Sequence, residues 1–247
     1  MSQAEIVTIR CLKDNYAYLL HAGGKTALFD APEAGPVLEE LARRGWSLDQ
    51  ILLTHHHDDH VQGVAELVEA TGARVTGAHA DAHRLPPLDQ AVRPGDITDA
   101  AGLKAHVIDV SGHTIGHIAF HVPAAKAAFT GDSLMALGCG RIFEGDAPMM
   151  WDSLQRLNAL PPETLICSGH DYCAGNGAFA LSVDAGNAAL SARLSETAAA
   201  LRPCAPATLA DERETNPFLR APALAESLGL SDAPAAFARL RAMKDGF

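Results

Sequence analysis

The residues best equipped for chemistry sit in one short run, Thr54-His55-His56-His57-Asp58-Asp59-His60. An apolar stretch, Ile51-Leu52-Leu53, precedes it and a helical pattern follows. The run therefore lies where a strand gives way to a helix, a usual place for a site in an α/β fold. His55 and His57 are two apart, so in extended backbone their side chains leave the same face. Asp59 and His60 follow at the start of the helix and supply further donors. Imidazole nitrogen and carboxylate oxygen are what borderline divalent cations such as zinc prefer. The expectation is a metal-dependent hydrolase.

Three later segments repeat the pattern of a strand followed by a donor. Gly112-His113-Thr114 follows Val107–Val110, Asp132 follows Phe129-Thr130-Gly131, and His170 follows Cys167-Ser168-Gly169. Glycine beside each donor lets backbone approach closely. Seven donors exceed one tetrahedral zinc and suit two cations sharing a carboxylate. His56 points away from its neighbours and is assigned a supporting role. Asp58 is expected to cap the helix, and His117 to hydrogen-bond backbone or a ligand. His21, His79, His83, His106 and His121 are background.

The elements that must position these donors can be read from pattern. Glu5–Arg10, Tyr16–Leu20 and Thr26–Asp30 read as strands, with a hairpin turn at Gly23-Gly24. A helix over Gly35–Arg44 ends at Gly45, and another carries Val61, Val64, Ala65, Leu67 and Val68 up to Gly72. Further strands are expected near Arg74–Thr76, Lys104–Val110, His117–Val122, Lys126–Phe129 and Thr164–Cys167, and a helix near Pro148–Leu160. Strands outnumber helices and several form hairpins, which points to a mixed α/β sandwich. After about Gly175 the pattern turns helical: Leu190, Leu194, Ala198 and Leu201 mark one helix, stopped by Pro203, and Pro234–Lys244 another.

Composition narrows the class. Of 247 residues 48% are hydrophobic and 20% charged, ordinary for a soluble globular chain. A net charge of −11 argues against nucleic-acid binding. No run of about 18 apolar residues suggests a membrane span, and Met1-Ser2-Gln3-Ala4-Glu5 does not read as a signal peptide. The five cysteines form no CxxC pair, so neither a disulfide framework nor a zinc finger is expected. They read as buried thiols of a cytoplasmic protein.

With these blocks in place, the chain resembles the metallo-β-lactamase superfamily through Thr54-His55-x-His57-x-Asp59-His60. Within it, the likeness is to the glyoxalase II (hydroxyacylglutathione hydrolase) family. The blocks Asp14-Asn15-Tyr16, Gly112-His113-Thr114-Ile115-Gly116-His117, Gly138-Cys139-Gly140-Arg141, Gly169-His170-Asp171-Tyr172, Thr215–Arg220 and Arg241–Asp245 carry it across nearly the whole chain. The resemblance implies a four-layer αββα sandwich with a helical C-terminal subdomain: residues 1–174 catalytic, 175–247 substrate-binding. It assigns His55, His57 and His113 to one metal, Asp59, His60 and His170 to a second, and Asp132 to both. Two divalent ions are implied, zinc first, with iron or manganese as alternatives.

The implied reaction is hydrolysis of S-lactoylglutathione to D-lactate and glutathione by a metal-bridging hydroxide, with Asp59 and Asp132 in the catalytic group. A thiolate leaves readily, so a thioesterase needs no dedicated general acid. Substrate contacts carried over are Arg141, Phe143, Tyr172, Arg241 and Lys244. Phe143 stands where some relatives have Tyr, removing a hydroxyl donor, and Arg141 where some have Lys. Arg241 and Lys244 also share an arc with Phe237 and Leu240 of the last helix. By itself this fits either cations aimed back at the body or basic residues that stabilise the helix end; the resemblance favours the first. The expected partner is a small glutathione thioester, met by a monomer. The alternative is an iron-dependent persulfide dioxygenase of the same superfamily, which generally lacks the extended helical domain.

Overall fold

Gly23 and Gly24 both take positive φ, 60° and 81°, and the strands they join pair antiparallel with Ala22 opposite Lys25. That hairpin lies within the first sheet of a computed structural model, which describes residues 4–201 and 203–247. The leader reading falls partly on Met1–Gln3, outside the described residues. The chain divides into two compact units. The first runs through Asp109 and takes up Gly116–Gly131; the second comprises Val110–Ile115 and Asp132–Phe247.

In the first unit, β1 (Glu5–Cys11), β2 (Asn15–Ala22), β3 (Lys25–Phe29), β4 (Gln50–Leu52), β5 (Arg74–Ala78) and β6 (Gln90–Val92) form one sheet in that order. The first three pair antiparallel and the last four parallel. The parallel crossovers carry α1 (Ala34–Arg44) between β3 and β4, then α2 (Asp58–Val61) and α3 (Val64–Thr71) between β4 and β5. Alternation along the strands sorts the core into two layers. Ala17, Leu19, Leu28, Ile51 and Val75 pack with Val37 and Leu41 of α1 and Val64 and Leu67 of α3. The other face meets an antiparallel sheet of β7 (Ile97–Ala100), β8 (Leu103–Asp109), β9 (Ile118–Val122) and β10 (Ala127–Gly131). Phe29 stacks on Phe129 at 3.4 Å between centroids and tilts against Phe120 at 5.8 Å.

α1 ends as expected at Gly45, whose φ of 68° is left-handed. The single helix expected from Val61 to Val68 is broken instead. The chain leaves α2 at Gln62-Gly63 because Gly63 lies against backbone of Ala31, Glu33 and Ala34, where a Cβ would sit 2.9–3.0 Å from three main-chain atoms. Ala31 donates to the His60 carbonyl and Gly63 to that of Ala31, at 2.8 and 2.9 Å. Asp58 is the first helical residue of α2, exposed, while His57 holds the N-cap position with no side-chain cap bond. The capping role expected of Asp58 is therefore corrected.

The second unit holds the hairpin β11 (Leu134–Met135) and β12 (Gly138–Cys139), the strand pair β13 (Leu165–Ser168) and β14 (Ala207–Thr208), and helices α4 (Ala147–Asn158), α5 (Cys173–Val183), α6 (Ala188–Ala198), α7 (Leu209–Thr215), α8 (Ala221–Leu224) and α9 (Ala233–Asp245). α6 stops at Ala198, and Leu201 lies 76% exposed, outside the face expected of it. The cysteine expectation needs a second correction. Cys173 at the start of α5 and Cys204 form a disulfide across 31 residues, while Cys11, Cys139 and Cys167 are buried free thiols. Among the described residues, no helix is long and apolar enough to cross a membrane.

Candidate metal centre

The first unit gathers its donors at the ends of two parallel strands. Asp30 follows β3, and Thr54 to His60 follow β4, so both segments emerge on the same edge of the sheet. Asp30 is buried and held at a φ of 55°. Its carboxylate accepts from the Thr54 N–H and hydroxyl, both at 2.8 Å, and pairs with His60 Nδ1 at 2.9 Å. That contact leaves His60 Nε2 to face Asp59 Oδ2, 4.0 Å away. Asn15, on β2, donates its amide to the Asp59 carbonyl and Oδ2 at 2.9 and 3.1 Å. Two loops of the sheet thus orient one carboxylate and one imidazole.

His55 is fully buried, its Nδ1 3.0 Å from the Thr54 hydroxyl. Its Nε2 faces His57 Nδ1 at 3.2 Å. Two nitrogens each about 2.0 Å from one tetrahedral zinc stand roughly 3.3 Å apart, so this pair has the spacing of two ligands to one cation. His56 turns away, as expected, and contacts Asp81 at 3.0 Å, whose carboxylate is also bound by Arg84. His117 donates to the Ile118 carbonyl at 3.1 Å and stacks on His55 at 4.5 Å. The expected backbone role of His117 is what the structure has. Gly131 ends this unit with a φ of 48°, and a Cβ there would collide with the Thr54 hydroxyl and lie 2.9 Å from the His117 ring.

The second unit brings together the other three donors. Asp132 Oδ2 lies 3.5 Å from His113 Nε2 and 3.3 Å from His170 Nε2, all three side chains buried. One carboxylate oxygen thus lies at ligand–ligand spacing from two imidazoles. The other nitrogen of His113 contacts the Arg141 carbonyl at 2.7 Å, the outer contact expected of a metal-ligating histidine. Gly140 makes this approach possible: a Cβ would collide with the Asp132 carbonyl and sit 3.1 Å from His113 Nδ1. The donor set of both units fits divalent cations by ligand type and by spacing.

Around His113 and His170 lie the aromatic residues read as substrate contacts. Phe143 meets the His113 ring edge-on at 5.2 Å and is 61% exposed; Tyr172 stacks on His170 at 4.7 Å. Arg141 is largely exposed. Arg241 is not: it is buried, donating to the Cys139 carbonyl at 2.9 Å and lying over the Phe218 ring. Lys244 donates to the Gly175 carbonyl at 3.0 Å, and burial holds its pKa below the ordinary lysine value. Both α9 cations do turn back toward their unit. Burial also pushes the Cys139 thiol up to about 11, so it is no nucleophile at neutral pH. Sequence reasoning gave no role to Asp30, Asp81 or Asp245. For Asp30 a signal existed: it ends a strand expected beside the one that leads into the histidine run.

Comparison with known proteins places this geometry. The profile of the metallo-beta-lactamase superfamily matches residues 13–170, and that of the hydroxyacylglutathione hydrolase C-terminus matches residues 171–247. The chain is 59% identical to the hydroxyacylglutathione hydrolase of Ruegeria pomeroyi, over 98% of this chain and 99% of the relative. To that of Fuscovulum blasticum it is 60% identical, over 98% of each. The chain belongs to the hydroxyacylglutathione hydrolase family. Among solved structures, this family member is similar to ETHE1 from Myxococcus xanthus, at 26% identity and a TM-score of 0.70 over 97% of this chain and 89% of that one. It is also similar to TTHA1623, solved in a di-iron-bound form, at 28% identity and a TM-score of 0.65 over 87% and 100% of the chains. The metallo-β-lactamase fold with a helical C-terminal segment is thereby established, as the motifs led one to expect.

Proposed function

We infer that this enzyme hydrolyses the thioester bond of S-(2-hydroxyacyl)glutathione, S-lactoylglutathione above all, releasing glutathione and a 2-hydroxy acid. The observation that carries the reading is near-full-length kinship with hydroxyacylglutathione hydrolases, in a chain whose donors stand at metal-ligand spacings. His55, His57 and His113 would hold one divalent ion, Asp59, His60 and His170 a second, with Asp132 shared. Zinc suits the donor types, and iron or manganese would be accepted by the same set. When bound, such ions bring the pKa of water toward about 7 and neutralise charge developing on the thioester oxygen.

The chain's own residues do the rest. Asn15 fixes the Asp59 carboxylate and Asp30 fixes His60 in the tautomer that presents Nε2. Phe143 and Tyr172, beside His113 and His170, would flank the thioester and exclude water. Arg141, Arg241 and Lys244 would meet the carboxylates of the glutathione moiety. A thiolate leaves unaided. Residues 1–174 would then supply catalysis together with the contacts of Arg141, Phe143 and Tyr172, and 175–247 the contacts of Arg241 and Lys244, in a cytoplasmic monomer.

The deciding assay is thiol release from S-lactoylglutathione by purified protein, with and without chelator, alongside metal analysis. The expected result is chelator-sensitive turnover with two metals per chain, both lost in Asp132→Ala. Full turnover by that variant would remove the shared-carboxylate arrangement. Arg241→Ala should raise KM more than it lowers kcat.

A further inference from the structure

Asp245 is the last residue of α9, where a carboxylate meets the negative end of the helix dipole. Helix stability alone would place a cation there. Its Oδ1 instead serves two guanidinium groups at once: Arg241 Nη2 at 2.9 Å and Arg141 Nε at 3.6 Å. The two arginines are held very differently. Arg241 is buried and fastened by the carbonyls of Cys139 and Gly140, whereas the Arg141 side chain is 60% exposed. The Arg141 backbone is nonetheless fixed, because its carbonyl meets His113 Nδ1 at 2.7 Å. An exposed cation is thus rooted beside His113 and parked on a carboxylate by a long, exposed ion pair of the kind that contributes little stability. Lys244, next in sequence to Asp245, adds a third positive charge.

We propose that Asp245 is an internal counter-carboxylate: it occupies the cluster of Arg141, Arg241 and Lys244 until a carboxylate of the glutathione moiety takes its place. This rests on the glutathione reading above and makes Asp245 a residue that sets affinity, a positioning residue for the arginines. Without it the cations would repel one another and Arg141 would have no fixed direction. With it, the incoming ligand carboxylate must displace a resident anion, so glutathione itself is held weakly and leaves after turnover.

The test uses metal-loaded protein and S-methylglutathione, a thioether that cannot be hydrolysed, together with its dimethyl ester, whose carboxylates are masked. Titration calorimetry on the wild type, Asp245→Asn and Asp245→Ser reads affinity, and thermal melts verify folding. Displacing a pair worth about 1 kcal/mol corresponds to roughly fivefold. The expected result is S-methylglutathione bound about fivefold tighter by both variants, with the ester's affinity unmoved. Equal or weaker binding of S-methylglutathione by the variants would overturn the proposal, and so would loss of fold in both, which would assign Asp245 to structure alone. A wild type that does not prefer the acid over its ester would fail the glutathione reading itself, and the proposal with it.

Discussion

Replacing Arg193 with methionine tests how the second unit holds the β11–β12 hairpin that leads to Arg141 and Phe143. Arg193 and Glu212 are an ion pair with both side chains essentially inaccessible, Nη2 to Oε1 at 2.5 Å. Arg193 also donates to the Thr215 hydroxyl at 2.7 Å and the Cys204 carbonyl at 3.0 Å. Removing one partner of a buried pair leaves the other charge unpaired, at a cost of about 3–5 kcal/mol. Glu212 Oε2 keeps the Leu137 N–H and the Asn216 amide at 2.9 and 3.0 Å, so only Oε1 is stranded. The lower part of that range, about 3–4 kcal/mol, is expected. At about 2–4 °C per kcal/mol for a chain of this size, the melting midpoint falls by roughly 6–16 °C. Adding Glu212→Gln should recover about half, because the stranded charge is gone. The assay is thermal melting by circular dichroism on the two single variants and the double. A loss below about 1 kcal/mol for Arg193→Met, unchanged by Glu212→Gln, would refute the reasoning. Since Glu212 keeps Leu137 and Asn216 keeps the Met135 and Gly138 carbonyls, KM for the thioester should change little in Arg193→Met.

Asp30→Asn removes the anion behind His60 and should weaken metal binding by about 10–100-fold in chelator competition; unchanged affinity would deny Asp30 its orienting role. His121, packed opposite His106, has its pKa lowered by burial and by that neighbour. The unfolded chain therefore takes up a proton near pH 6.5 that the folded one resists, so stability holds above that pH and falls below it. His121→Gln should flatten the fall, read as melting midpoint against pH. Alkylation of unfolded, unreduced protein should add three groups, at Cys11, Cys139 and Cys167, and five after reduction; five without reduction would dismiss the Cys173–Cys204 bond.

The candidate site was legible because its signals are local. His55, His57, Asp59 and His60 occupy one turn of chain after a strand, and His113, Asp132 and His170 each follow a strand with glycine adjacent. Such signals survive without knowledge of the fold. What escaped depends on partners distant in sequence. β6 and β7, of three and four residues, are too short to show a period, and they exist because β5 and β8 offer edges to pair with. α5 is apolar around most of its circumference, so no amphipathic stripe marked it. The break at Gly63 comes from the backbone of Ala31, and the disulfide joins cysteines 31 residues apart. Arg241 could be placed on the right face of α9, but not foreseen as gripping the Cys139 carbonyl, 102 residues away.

An acidic chain that takes an anionic substrate must draw it by nearby charges. Net charge is −11, yet beyond roughly 8 Å salt screens most of that field. Within that radius of Asp245 the chain sets Arg141 and Arg241 by direct contact, with Lys244 adjacent in sequence. Attraction is then short-ranged and felt only by a ligand already against the second unit. A small thioester with carboxylates at suitable spacing can use it, whereas an extended polyanion meets the repulsive remainder of the surface. The same overall acidity that argues against nucleic acid thus leaves room for a small anion, provided the cations are few, clustered and beside the reacting groups.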